Sequence, residues 1–140
     1  MDFVCHLEPN GDGGFIATFL DVPEALTEGA TRAEAIKNAA DALEVALLGH
    51  MKDGDDIPMP RQRPKGGIAV HVSAQASAKL AFYSAFRVSG LSQSSLARKI
   101  GKDEAEIRRM LDPYHATKLP ALEEALHALG QRFVLTVEAA

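Results

Sequence analysis

Apolar and polar positions change rhythm along the chain. Residues 2–8 (DFVCHLE) alternate near their start and predict a strand. NGDGG over 10–14 predicts a hairpin turn, because Asn and Gly tolerate positive φ, and FIATFL over 15–20 predicts the partner strand. The loop Asp21-Val22-Pro23-Glu24 follows, with a short third strand expected around Ala25 to Glu28. Thr31 and Glu34 stand at the spacing of a capping box, each able to satisfy a free backbone N–H. Ile36, Ala40, Leu43 and Leu47 then recur at helical spacing, so one face should pack on the sheet, and the helix should end near Gly49. Residues 50–67 are irregular, with prolines at 58, 60 and 64. Ile68 to Val72 (IAVHV) reads as another strand, too short to stand alone and so expected to return to the first sheet.

The remainder reads as helical until its last segment. Ala74 to Val88 predicts a helix with Leu80, Ala81, Ala85 and Val88 on its inner face and Gly90 as its stop. Over residues 91–111 two short helical patterns flank a tight turn at Gly101, the first opening on the N-cap residue Ser92. Leu96, Ala97, Ile100, Ile107 and Met110 would pack between them, leaving Gln93, Ser94, Arg98, Lys99, Lys102, Arg108 and Arg109 outside. That is the layout of a helix-turn-helix, whose second helix enters the DNA major groove. Residues 120–129 predict a further helix with Pro120 in its first turn and Gly130 as its stop. Finally Phe133, Leu135 and Val137 alternate with Val134, Thr136 and Glu138, which predicts a strand. A lone strand needs a partner, and a two-fold copy of the chain supplies one, so these three residues are expected to mediate dimerisation. The expected class is α+β. A β-β-β-α-β domain over 1–74 precedes an all-α helix-turn-helix domain over 75–140 with a C-terminal strand.

Charge separates the two halves. The net charge of −4 combines twelve Asp and Glu against three Lys and Arg in residues 1–60 with seven against twelve in residues 61–140, balances of −9 and +5. The basic half suits phosphate and the acidic half suits a basic partner, although acidic surfaces also serve solubility alone. An apolar content of 46% is ample for a core, and no run approaches the ~20 apolar residues of a membrane span. Asp2 and Glu8 stand where a signal peptide would carry its basic and apolar segments. A single cysteine, Cys5, cannot form an internal disulfide and is expected as a buried thiol; the expected compartment is the cytoplasm.

Catalytic chemistry is sparse. The histidines at 6, 50, 71, 115 and 127 lack a metal-ligand spacing. His6 and His71 would lie on neighbouring strands of one sheet, where a metal site is conceivable but ordinary surface or hydrogen-bonded roles fit better. Asp53, Asp55 and Asp56 resemble a calcium loop only loosely, since Pro64 stands at the twelfth position in place of the bidentate Glu. No catalytic residue, metal site or cofactor is expected. An RNase H-like enzyme would need Asp2, Glu8 and Asp21 to converge on Mg²⁺.

Two resemblances cover nearly the whole chain. The segment from Lys79 to Phe133 resembles the five-helix DNA-binding domain of the Xre/Cro-like phage-repressor family. In that likeness Gln93, with Ser94 beside it, lies where the family meets the DNA backbone, and Lys102 through Arg109 falls on the turn and recognition helix. Arg108 or Arg109 would read guanine, while Lys99 and Lys102 would meet phosphate. Glu104 and Glu106 depart from the family's neutral or basic side chains. A D-x-x-E capping box from Asp103 to Glu106 explains the second, base reading at cytosine is an alternative, and loss of DNA binding is a third.

The segment ATFLDVPEALTEGATRAEAIKNAADALEVAL resembles the HicB antitoxin family. Asp21, Pro23, Thr27, Gly29, Thr31, Glu34, Ala35, Ala39, Ala42 and Leu43 are in register with its pattern; Glu24 replaces the usual glycine and Ala30 the usual aspartate. The resemblance implies a partial RNase H-like N-terminal domain that lacks a nuclease carboxylate cluster. That domain would bind a small basic HicA-type ribonuclease toxin, here through Asp21, Pro23, Glu24 and Glu28. It also implies a C-terminal domain that represses the operon; a helix-turn-helix protein acting as a homodimer or tetramer should prefer an inverted-repeat operator. A helix-turn-helix regulator whose first domain senses a ligand is the alternative reading.

Overall fold

Strand β1 (Asp2–Pro9) is an inner strand of an antiparallel sheet that also holds β2 (Phe15–Thr18), β3 (Thr27–Gly29) and β4 (Ile68–His71), in the order β3-β2-β1-β4. The computed structural model describes residues 1–61 and 65–140, so Pro64 of the calcium-like run lies outside the described residues. The chain divides into two units, Met1–Ser77 and Ala78–Ala140.

In the first unit the element order is β-β-β-α-β, and β4 does return to the sheet, pairing Asp2 with His71 and Cys5 with Ile68. The hairpin between β1 and β2 closes through Asn10, whose side-chain oxygen accepts from the Asp12 and Gly14 amides at 2.9 and 3.1 Å. Side chains alternate across the strands. Phe3, Cys5, Ala17 and Val70 are buried on one face, and helix α1 (Arg32–Lys52) supplies its buried stripe of Ala35, Ala39, Leu43, Leu47 and Met51 to the same core.

Two expectations for α1 are corrected. Its inner stripe runs through Ala35 and Ala39, leaving Ile36 and Ala40 half-buried. Small residues there allow close approach to β3, where a Cβ on Gly29 would lie 2.3 Å from the Ala35 nitrogen. The helix also continues past Gly49 to Lys52, because Met51 anchors one more turn in the core. At its start, the Thr31 hydroxyl accepts from the Glu34 amide at 3.1 Å, and the Glu34 carboxylate reaches back to the Ala30 N–H at 3.2 Å. The return bond therefore goes one residue beyond the capping-box pattern.

The second unit contains most of α2 (Ala74–Ser89), then α3 (Gln93–Ile100), α4 (Glu104–Leu111) and α5 (Leu119–Ala128). Ala78, Phe82, Leu96, Ala97, Ile107, Met110, Leu122 and Ala125 form its core, with Ile100 packed beside them. On α2, Ala78 and Phe82 face this core; Leu80 and Ala85 are buried as expected, Ala81 is half-buried, and Val88, expected inside, is exposed on the last turn. Residues 131–140 belong to no helix or strand. The strand expected there needs a hydrogen-bonded neighbour to exist as a strand, and the single chain supplies no ladder for it among the described residues. Phe133 instead packs against the core of its own unit, while Val134, Leu135 and Val137 are exposed. No helix among the described residues is long and apolar enough to cross a membrane.

Candidate functional site

The helix-turn-helix corner forms as its sequence pattern predicts. The Ser92 hydroxyl caps α3 by accepting from the Ser95 amide at 3.1 Å. Gly101 ends α3 in the left-handed region at φ 66°, a conformation that side chains with a Cβ resist, and its N–H returns to the Arg98 carbonyl. Leu96 and Ala97 of α3 and Ile107 and Met110 of α4 are buried together in the core. Their burial sets the outward residues. Lys99, Lys102, Glu104, Arg108 and Arg109 are exposed, and Gln93, Ser94 and Glu106 are half-exposed.

The acidic residues of α4 have a different arrangement from the one expected. Asp103 stands at the N-cap, but no side-chain capping bond forms, so the D-x-x-E capping box is corrected. Glu106 lies 4.0 Å from the Lys102 ammonium, and Glu124 of α5 lies 3.9 Å from the same nitrogen. Lys102 is thus shared by two carboxylates. Glu104 and Arg108 are one helical turn apart on the exposed side, a spacing at which opposite charges attract weakly. Both acids also sit at the positive end of the helix dipole.

Lys79 is the residue that sequence reasoning missed. It is 2% exposed, and its ammonium donates to the carbonyls of Arg109 at 3.3 Å and Asp112 at 2.5 Å, and also to that of His115. These carbonyls end α4 and begin the following turn, where orphan acceptors collect negative partial charge. Burial pushes the Lys79 pKa down, and the Asp112 charge opposes that shift. The signal in the sequence was a lone lysine among apolar residues of the inner face, ASAKLAF.

On the first unit, the residues expected to meet a partner surround the loop between β2 and β3. Phe19, Val22 and Ala25 point inward and are buried, and the loop is tied by Val22 N–H to Phe19 O and Ala25 N–H to Val22 O. A carboxylate oxygen of Asp21 accepts from the Arg61 amide at 3.0 Å, so Asp21 fastens the loop to the distant proline-rich segment. Pro23 and Glu24 are exposed at the tip. Glu24 pairs with His50 of α1, whose other ring nitrogen lies 3.9 Å from Asp55. A bond from its own backbone, with a smaller contribution from His50, holds the Glu24 carboxyl below the usual range. Glu28 is exposed on β3, and its carbonyl accepts from Asn38 of α1 at 2.9 Å.

The candidate catalytic groupings do not assemble. Asp2 and Glu8 stand near opposite ends of β1, and Asp21 is held in its loop by the Arg61 amide. His6 pairs across the ladder with Thr18, whereas His71 faces Asp2, its ring nitrogen 2.5 Å from that carboxylate. The two histidines lie on neighbouring strands as expected, but four residues apart in register, about 13 Å along the strand. Among the described residues no three His, Cys, Asp or Glu side chains group to hold a metal. Cys5 is buried, and burial pushes its thiol pKa up, away from the reactive thiolate.

The profile of the HicB_like antitoxin of bacterial toxin-antitoxin systems matches residues 2–81. The chain is 37% identical to Antitoxin HicB of Escherichia coli K12 over 137 residues, covering 98% of this chain and 99% of that one. The chain belongs to the HicB antitoxin family. Antitoxin HicB 1 of Photorhabdus laumondii is 36% identical over 138 residues, covering 99% of this chain and 88% of its own. Antitoxin HicB of Pseudomonas fluorescens is 34% identical over 136 residues, covering 96% and 91%. The likeness to these HicB antitoxins therefore extends past the profile match and across the helix-turn-helix half. These relatives are named as antitoxins, which agrees with a non-enzymatic role in a toxin–antitoxin system.

Proposed function

We propose that this HicB-family chain neutralises a small basic ribonuclease of the HicA type through its first unit. Its second unit represses the operon by binding an inverted-repeat operator, as a homodimer or tetramer, in the cytoplasm. The observation that carries the reading is the near full-length likeness to HicB antitoxins, joined to the charge division between the halves. An acidic first half suits a toxin whose own surface must attract RNA, and charge complementarity speeds such an encounter. Asp21, Pro23, Glu24 and Glu28 belong to that contact.

On the second unit, Gln93, Ser94 and Lys99 address the phosphate backbone, and Arg108 and Arg109 address base edges. Lys102 has a lesser part because two carboxylates compete for it. Glu104 faces outward at the start of α4 and is the acidic candidate for a cytosine amino group; Glu106 is turned toward Lys102. Leu135 and Val137 pair with a second copy.

Co-expression with a HicA-type toxin is the test. Relief of growth arrest and co-purification are expected, and absence of both would sink the antitoxin reading. Gel shifts on upstream DNA at low salt test the repressor half, and no binding there would remove it.

A further inference from the structure

We infer that the sheet face turned away from α1, at its β2–β3 end, is the docking surface for a small basic protein carrying an apolar patch. Leu20 and Leu26 are its anchors. The inference rests on the toxin-neutralising reading above and assigns it a surface.

Alternation across the sheet defines this face. Ala17 points to the α1 side and is fully buried, opposite Leu7 and Thr27. Its neighbours Ile16 and Thr18 therefore point to the other side, as does Glu28 on β3. Ile16 lies between Glu8 and Glu28 in one cross-strand row. Beyond the ladder the alternation persists: Phe19 and Ala25 are buried, whereas Leu20 and Leu26 are 66% and 62% exposed. Two leucines thus stand uncovered on the two limbs of one loop, beyond Thr18 on the same face, and Ile16 with its neighbours Glu8 and Glu28 continues that face along the sheet.

The loop is built to keep them there. Three inward residues, the two backbone bonds and the Asp21 tie to the Arg61 amide hold its shape before any partner arrives. A preformed loop loses little conformational freedom on binding. An apolar centre with a charged rim is the anatomy of a protein interface. The sign of the rim selects the occupant. Acidic side chains repel nucleic-acid phosphate, and two copies of the same acidic face repel one another, so a basic protein fits.

Calorimetric titration of the full chain with an inactivated HicA-type toxin tests this. Leu20→Glu together with Leu26→Glu should weaken binding at least about 100-fold, while Val45→Glu, at a residue 71% exposed on α1, should leave it unchanged. Reversing Glu8 and Glu28 to Lys should slow association and flatten its salt dependence. Equal binding by the Leu20/Leu26 variant overturns the docking surface and leaves the antitoxin reading standing. No binding by the unaltered chain overturns both. Should the glutamate variant unfold, hydrogen exchange on the unaltered complex decides: the amides of residues 18–28 should gain protection, and no gain overturns the inference.

Discussion

The ammonium of Lys79 donates to the backbone carbonyl of Asp112 at 2.5 Å, and with its bonds to the Arg109 and His115 carbonyls it fastens the end of α4 to α2. Replacing Lys79 with Met keeps the aliphatic length and removes every donor. Three carbonyls are then left without this partner, and the second unit should lose on the order of 2 kcal/mol or more in denaturant unfolding. Hydrogen exchange should rise at Asp112 and His115 first. An unchanged midpoint and unchanged exchange would show that Lys79 does not fasten α4.

Gly29 sits so close to α1 that a Cβ would meet backbone atoms of Glu34 and Ala35. Backbone cannot rotate away as a side chain can. Gly29→Ala should therefore cost about 1 to 3 kcal/mol by overpacking. Thermal unfolding checks it, and a neutral result would mean that α1 can shift on the sheet at little expense.

Glu24 has a folded-state pKa below its ordinary carboxylate value, with its backbone bond as the main cause and His50 second. A lowered carboxylate pKa stabilises the fold above the ordinary value, and that contribution disappears as pH falls through the lower folded value. The stability difference between the unaltered chain and Glu24→Gln should shrink across that acidic window. Because Glu24 is exposed, the effect should stay under about 1 kcal/mol. A difference that is flat with pH would sever Glu24 from this role.

Lys99 and Lys102 should separate in DNA binding. Lys99→Ala should lower the salt slope by about one counterion, whereas Lys102→Ala should change it less, because Glu106 and Glu124 already partner Lys102. Arg108→Ala or Arg109→Ala should cost about 1 to 3 kcal/mol and relax sequence preference if that side chain reads a base. Equal slopes for the two lysine variants would show that DNA releases Lys102 from its carboxylates.

Leu135 and Val137 should report self-association without disturbing the unit that carries them. Both are exposed, whereas Phe133 packs on its own core. Leu135→Asp with Val137→Asp should shift sedimentation toward monomer; deleting the whole tail would also remove the Phe133 contact. An unchanged profile for the double variant would exclude the tail as the dimer contact.

Much of the architecture was legible because it depends on neighbours in sequence. The Ser92 cap, the Gly101 turn and the Leu96–Met110 apolar set follow from local geometry and periodicity, and all three stand. The Asp103–Glu106 box does not form, and Glu106 instead stands 4.0 Å from Lys102, one turn back in the sequence. Gly49 looked like a helix stop, yet burial of Met51 outweighed the modest helical cost of one glycine.

The sequence by itself determined the element order from β1 to α5, the division of charge and the likeness to HicB antitoxins, since these reside in periodicity, composition and motif register. Tertiary structure alone decided which side chains share a surface. Lys79 gains its three carbonyl partners only because α4 ends beside α2, and Leu20 and Leu26 stand exposed only because Phe19 and Ala25 take the buried side of the same loop. Burial and hydrogen bonding across residues far apart in sequence carry that information, and no local pattern encodes it.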